Sequence, residues 1–226
     1  MELVNKGKTK DVYDLGNGRL LLKFKDDVTV DEQGKFDPGG NKTGLTVKGV
    51  GNMNLRLTDF FFKKIAEAKI ATHYISGNLE ENTMTVKAAE FFGKGLEIIC
   101  RFRATGSFIR RYGSYVEDGK ELPAFVEFCI KDDDRGDPII TKEGLEVLGI
   151  LTDGEYDKIV SLTRKICTLV KDELAAKGAE LYDIKLEFGR CDGEIILIDE
   201  ISGGSMRVYK NGVNIAPSDI VNLVLP

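Results

Sequence analysis

The segment LYDIKLEFGRCDGEIILIDEISGGSMRVYK, residues 181–210, sets Asp183, Lys185 and Glu187 at alternate positions ahead of the turn-forming pair Asp192-Gly193. A period of two puts these three side chains on one face of a strand and Leu186 and Phe188 on the other. The chain must therefore build a sheet with an apolar face to cover and a face that carries a lysine among carboxylates. Where the returning strand places Asp199 depends on the turn. A two-residue loop at Asp192-Gly193 sets Asp199 opposite Leu186, away from the charged face. A three-residue loop, with Gly193 left-handed in a bulge, pairs Lys185 with Asp199 and leaves Leu186, Phe188, Ile196 and Ile198 as one apolar surface. The second register is the one expected, because it keeps that surface coherent. Glu187 and Asp199 beside a lysine then offer hard oxygen ligands for Mg²⁺ and a cation for nucleotide phosphates. A solvated face laced with salt bridges is the competing reading.

The rest of the chain supports an α+β fold in two lobes. DVYDLG and RLLLKFKDD flank the turn Gly16-Asn17-Gly18, a hairpin signal that opens a β-rich N-terminal lobe, assigned to residues 1–76. Residues 31–51 are rich in glycine and charge and read as a long mobile loop, either a functional lid or a disordered stretch. Leu57, Phe60, Phe61, Ile65 and Ala68 recur at helical spacing, which predicts a helix over the first sheet. The C-terminal α+β lobe, residues 77–226, contains strand-like TMTVKAAEF and LEIICRFRA and a short helix in TGSFIRRYG. Its longest helix starts at a capping box of Thr152 and Glu155, runs along Ile159, Val160, Leu162, Ile166, Leu169, Val170 and Leu174, and ends at Gly178.

Composition excludes several classes. With 226 residues, 42% hydrophobic and 31% charged, and a net charge of −5, the chain can bury a large core and shows no overall basic footprint for nucleic acid. No apolar run reaches the roughly 18 residues of a membrane span. Cys100, Cys129, Cys167 and Cys191 form neither a C-x-x-C pair nor a disulfide framework, so reduced thiols in the cytoplasm are expected. The single histidine, His73, rules out a His-rich metal site and suggests a structural role.

Three further clusters suit phosphate. Lys8 and Lys10 share one side of a strand after Gly7, although neither a Walker loop nor G-x-G-x-x-G is present. In CRFRATGSFIRRYG, Arg101 and Arg103 alternate onto one face, while Gly106 and Ser107 open a helix. With Arg207 after Gly203-Gly204, Arg101 and Ser107 make a phosphomonoester clamp, or else simple partners for the acidic surplus. Lys131 ends a strand before Asp132, Asp133, Asp134 and Asp137, where acids commonly mark turns and a lysine could equally reach a nucleotide.

GKTKDVY, FKDDVT, VKGVGNMN, CRFRATGSFIRRYG, IKDDDRGDP, LYDIKLEFG and IILIDEISGGSMRVY occur in this order over residues 6 to 209. Together they resemble the SAICAR synthetase (phosphoribosylaminoimidazole-succinocarboxamide synthase) family. The resemblance implies an ATP-grasp-like fold with antiparallel sheets and an ATP cleft between lobes. It implies a ligase that joins carboxyaminoimidazole ribotide to L-aspartate, releasing ADP and phosphate, with ATP and Mg²⁺ as cofactors. Carried onto this sequence, Lys8, Lys10 and Lys131 contact ATP, and Glu187 and Asp199 hold metal and nucleotide. Arg101, Ser107 and Arg207 bind the ribotide phosphate, and Lys185 lies near the reacting groups, forming a catalytic set with Glu187 and Asp199. Gly203-Gly204 stands where the family usually has Pro-Asp, Tyr209 where it often has Trp, and the C-terminus is short, leaving a homodimer open as a way to complete the site. A paralogous ligase for another acid or amine, a small-molecule kinase and a non-catalytic nucleotide-binding module are the alternatives.

Overall fold

The computed structural model describes residues 1–225 apart from 31, 32, 35, 36, 38, 39 and 41. The N-terminal part carries β1 (Glu2–Lys6), β2 (Lys10–Gly16), β3 (Arg19–Phe24), β4 (Asp27–Val30), β5 (Lys42–Thr46), α1 (Val50–Glu67), β6 (Tyr74–Asn78) and β7 (Thr83–Lys87). Five of these strands form an antiparallel sheet in the order β1-β2-β3-β7-β6. Positive φ at Gly16, Asn17 and Gly18 closes the β2-β3 hairpin at the expected turn. The sheet continues to Lys87, so the expected boundary after residue 76 falls inside β6.

The loop expected over 31–51 falls partly outside the described residues. Of the remainder, Lys42–Thr46 is strand β5, paired with β4, and α1 has already begun at Val50. Leu57, Phe61 and Ile65 are fully buried along α1, with Leu55 and Phe62 beside them, whereas Ala68 caps the helix and is exposed.

The C-terminal part contains β8 (Glu90–Phe91), β9 (Leu96–Arg103), α2 (Ser107–Tyr112), β10 (Glu121–Ile130), α3 (Lys142–Val147), α4 (Glu155–Ala175), β11 (Glu180–Cys191), β12 (Glu194–Ile198), β13 (Met206–Lys210), β14 (Val213–Asn214) and α5 (Pro217–Val224). Its sheet runs β10-β9-β11-β13-β14, with β8 and β12 added along the far end of β11. The long α4 packs across β9, β10 and β11. Beneath it lie rows such as Phe128-Ile98-Leu186, all buried, which supply the core. At the start of α4, Glu155 accepts the Thr152 N–H at 2.7 Å, but Gly154 holds the N-cap position, so only half of the expected capping box forms.

The β11-β12 register corrects the sequence reading. Glu187 pairs with Ile198, Phe188 with Leu197 and Cys191 with Glu194. The loop is therefore two residues long, with Asp192 and Gly193 both at positive φ, as a type I′ turn requires. Ile195 to Ile198 are buried on both faces, so apolar alternation carried no phase from which the register could be read. Ile195 and Leu197, rather than Ile196 and Ile198, share the face of Leu186 and Phe188.

The two sheets join at residues 71–73. Leu197 N–H donates to Ala71 O at 3.1 Å, and His73 N–H donates to Leu197 O at 2.9 Å. One apolar core extends through both parts. Among the described residues, no helix is long and apolar enough to cross a membrane.

Candidate active site

The face of the second sheet turned away from α4 holds three polar rows. Asp183 pairs with Arg101, Lys185 with Ile99, and Glu187 with Glu97; β10 adds Phe125, Glu127 and Cys129 to the same rows. On the other side of β11, Asp183 pairs with Arg207. Strand alternation thus delivers Asp183, Lys185 and Glu187 to one surface, as the sequence expects.

At one end, Arg101 is 1% exposed and its guanidinium is enclosed. Nε donates to Glu127 at 2.5 Å, Nη1 to Asp183 Oδ2 at 2.7 Å and Nη2 to Ser107 Oγ at 2.8 Å. Arg207 Nη1 donates to the same Asp183 oxygen at 2.7 Å, and its Nη2 pairs with Asp37. Gly106, at φ 56°, lies flat against Arg207, since a Cβ there would stand 2.8 Å from the guanidinium carbon. Arg101, Ser107 and Arg207 therefore gather in one place. They border a cavity of about 680 Å³ that also takes in Lys185, Glu97 and Arg110. Burial pushes the Asp183 carboxyl above its ordinary range, against the pull of Arg207 and Arg101.

In the middle row, Lys185 Nζ donates to Glu97 Oε1 at 2.7 Å. Burial works against its charge, but the carboxylates of Glu97 and Glu187 outweigh burial and hold the ammonium above its usual range. Lys185 is thus a fixed cation at neutral pH.

At the other end, Lys131 Nζ donates to Glu187 Oε1 at 2.6 Å. From the N-terminal sheet, Lys10 reaches Asp199 Oδ1 at 3.1 Å and Glu200 Oε1 at 2.5 Å. Burial opposes the charge of both lysines and their carboxylate neighbours overcome it, so both are raised. Burial and the charge of Asp199 push Glu187 up, whereas Asp199 is held down because Lys10 and Lys131 overcome its burial. Lys10, Lys131, Glu187 and Asp199 form one electrostatic cluster across the cleft. Lys8 stands apart from it, paired with Asp133 at 2.6 Å on the rim.

Asp199 does not reach this cluster through the expected three-residue loop. Its backbone is left-handed, φ 63°, which breaks the alternation just past β12. His73 Nε2 lies 3.2 Å from the Asp199 carbonyl, and because a carbonyl can only accept, Nε2 carries the hydrogen. Burial pushes the imidazole down to about 4, so it is neutral at neutral pH.

Sequence reasoning missed Glu97, Glu127 and Glu200 and gave Asp183 no role. A signal existed for one of them: Glu97, Ile99 and Arg101 alternate along LEIICRFR, so an acid shares the face of the arginine.

The donor set fits a magnesium nucleotide. Glu187 and Asp199 are close enough to disfavour each other's charge, and Glu200 Oε2 is buried without a hydrogen-bond partner among the described residues. No group of three or more His, Cys, Asp or Glu gathers as a metal site among the described residues. Two carboxylates plus ligand phosphates is the arrangement Mg²⁺ ordinarily accepts.

Comparison with known proteins identifies the family. The sequence profile of SAICAR synthetase matches residues 3–217. Over 227 residues the chain is 60% identical to the phosphoribosylaminoimidazole-succinocarboxamide synthase of Clostridium tetani (strain Massachusetts / E88), with 100% of both chains covered. The Thermotoga maritima enzyme of that name is 37% identical over 208 residues, 91% of this chain and 84% of its own. A solved SAICAR synthetase in complex with ADP superposes with a TM-score of 0.83 at 33% identity, covering 96% of this chain and 89% of that one. The phosphoribosylaminoimidazole-succinocarboxamide synthase of Ehrlichia chaffeensis gives 0.83 at 27%, covering 98% and 91%. The chain belongs to the SAICAR synthetase family, and so to the ATP-dependent carboxylate-amine ligases of purine biosynthesis.

Proposed function

We propose that this face is where the carboxylate of carboxyaminoimidazole ribotide is joined to the amine of L-aspartate, with the ribotide phosphate at the Asp183 end and ATP at the Glu187 end. One observation carries the reading: Asp183, Lys185 and Glu187 are successive inward positions of β11, so the anion cluster, a fixed ammonium and the paired carboxylates follow one another in order. At two residues per repeat, the outer two are about 13 Å apart along the strand, with Lys185 midway.

The roles follow from the contacts. Arg207 and Ser107 face the cavity and bind the ribotide phosphate, while the buried Arg101 binds it through one edge and fixes Ser107. Lys10 and Lys131 neutralise nucleotide phosphates, and Lys8 extends that charge from the rim. Glu187 and Asp199 would hold Mg²⁺, which supplies charge neutralisation at the transferring phosphoryl group. A solved relative in complex with ADP supports a nucleotide in this fold.

A carboxylate is a poor electrophile. In the proposed route its oxygen takes the γ-phosphoryl group, releasing ADP; the aspartate amine then attacks the acyl carbon, and phosphate departs as the amine gives up a proton. Lys185 remains protonated, so it serves as a cation beside the reacting carboxylate rather than as a base. The cytoplasm is the proposed compartment, in keeping with three buried cysteine thiols and no C-x-x-C spacing.

The test is ADP release from ATP, Mg²⁺, the ribotide and aspartate, with each omitted in turn and the product weighed. Turnover that needs every component and yields the succinocarboxamide mass is expected. ATP binding without that product would move the chain to a ligase for another acid or amine.

A further inference from the structure

We propose that His73 is a positioning residue for Asp199: its imidazole N–H holds the Asp199 carbonyl and so fixes the left-handed backbone that brings the Asp199 carboxylate to Lys10 and the nucleotide-bound metal. The proposal rests on the reading of Asp199 as a metal ligand.

Asp199 needs such a hold. The two-residue turn sets position 199 opposite Leu186, so a regular continuation of β12 would send its side chain to the apolar face beneath α4. The residue instead adopts φ 63°, in the left-handed region that single residues other than glycine enter only occasionally, aspartate among them. That departure turns the carboxylate toward Lys10, 3.1 Å away. The carbonyl of this residue is the atom that His73 Nε2 meets at 3.2 Å.

His73 is itself placed by both sheets. Its N–H is bonded to Leu197 O at 2.9 Å, and its carbonyl accepts from Lys87 N at 2.7 Å. Its ring lies 5.6 Å from that of Phe62 on α1, centroid to centroid, and the side chain is buried. The histidine therefore ties a ligand carried by the second sheet to the lobe that supplies Lys10. A partner of this kind fixes a ligand's orientation without touching the metal, and its loss typically costs about 10–100-fold in metal affinity or activity.

The experiment measures ADP binding by calorimetry across Mg²⁺ concentrations for wild type, His73→Phe, His73→Gln and Asp199→Asn, with thermal midpoints as a fold check and steady-state kinetics alongside. His73→Phe keeps a ring against Phe62 and removes the N–H; it should raise the half-saturating Mg²⁺ by about 10-fold or more. The KM for the ribotide should change by no more than about 2-fold, because the phosphate end is untouched. His73→Gln, whose amide can donate to the same carbonyl, should recover most of the loss. An unchanged Mg²⁺ dependence in His73→Phe, or no recovery with Gln, overturns the proposal. If the Phe variant does not fold, His73→Asn takes its place, since its shorter amide falls short of the carbonyl; equal Mg²⁺ dependence in Asn and Gln then overturns it. An Asp199→Asn protein with wild-type Mg²⁺ dependence would instead remove the metal-ligand reading beneath the proposal. A shift in Asp199→Asn without one in His73→Phe removes the role of His73 alone.

Discussion

Arg101 and Asp183 face each other on adjacent strands, and the guanidinium donates to the carboxylate over 2.7 Å with both side chains out of solvent. The same Asp183 oxygen takes a second bond from Arg207, so one buried acid orders both arginines. Their exposures differ, however, and so should their phenotypes. Arg207→Ala should raise the ribotide KM by about 10–100-fold, the worth of a hydrogen bond to a charged group, with little change in the KM for ATP. Arg101→Ala should mainly destabilise the fold, by about 1–3 kcal/mol, because Glu127 and Asp183 each lose one buried partner and keep only Arg111 and Arg207 respectively. Thermal midpoints with paired KM values check this; equal KM effects on both substrates would place the phosphate elsewhere.

Glu155 links the start of α4 to β11. Its two oxygens bond Arg190 Nε and Nη2 at 2.7 Å each, and those bonds, against some burial, hold its carboxyl down to about 2 from an ordinary 4.5. A depressed carboxyl stabilises the fold above its unfolded value and loses that contribution as pH falls. The midpoint gap between wild type and Glu155→Gln should be constant near neutrality and shrink as pH drops from about 4.5 toward about 2. A gap independent of pH over that window would mean that the charge contributes nothing.

Gly203 and Gly204 should differ sharply in tolerance. A Cβ at Gly203 would meet Pro217 Cα and Cβ at 2.7 Å, whereas one at Gly204 meets Ser202 Oγ at 3.3 Å and Asn54 Nδ2 at 3.7 Å. Gly203→Ala should cost about 1–3 kcal/mol by forcing α5 away from the loop that carries Ser205 and leads into β13. Gly204→Ala should cost less. Denaturant unfolding checks the order, and comparable losses at the two positions would contradict the packing described.

The same pair shows where sequence reading stops. From residues alone, Gly203 is a departure from a family pattern; only the fold shows Pro217 of the C-terminal helix filling the space a side chain would need. The charged face of β11 was legible because alternation is a local rule and Asp183, Lys185 and Glu187 obey it. Asp199 was not, because Ile195 to Ile198 are buried on both faces and its own φ breaks the period that would have located it. Glu127 escaped for another reason: its importance lies in its partner across the sheet, Arg101, and pairing between distant strands is not written in either segment; for Glu97, alternation gave the face but not its partner Lys185.

The central claim is that Glu187 and Asp199, with Lys10 and Lys131, hold the magnesium nucleotide during turnover. Its most direct test is ADP release by Asp199→Asn under saturating ribotide and aspartate, over a range of Mg²⁺. We expect kcat to fall by about 100-fold or more while the thermal midpoint stays within a few degrees of wild type. Unchanged kinetics in a folded Asp199→Asn protein would contradict the assignment of the site.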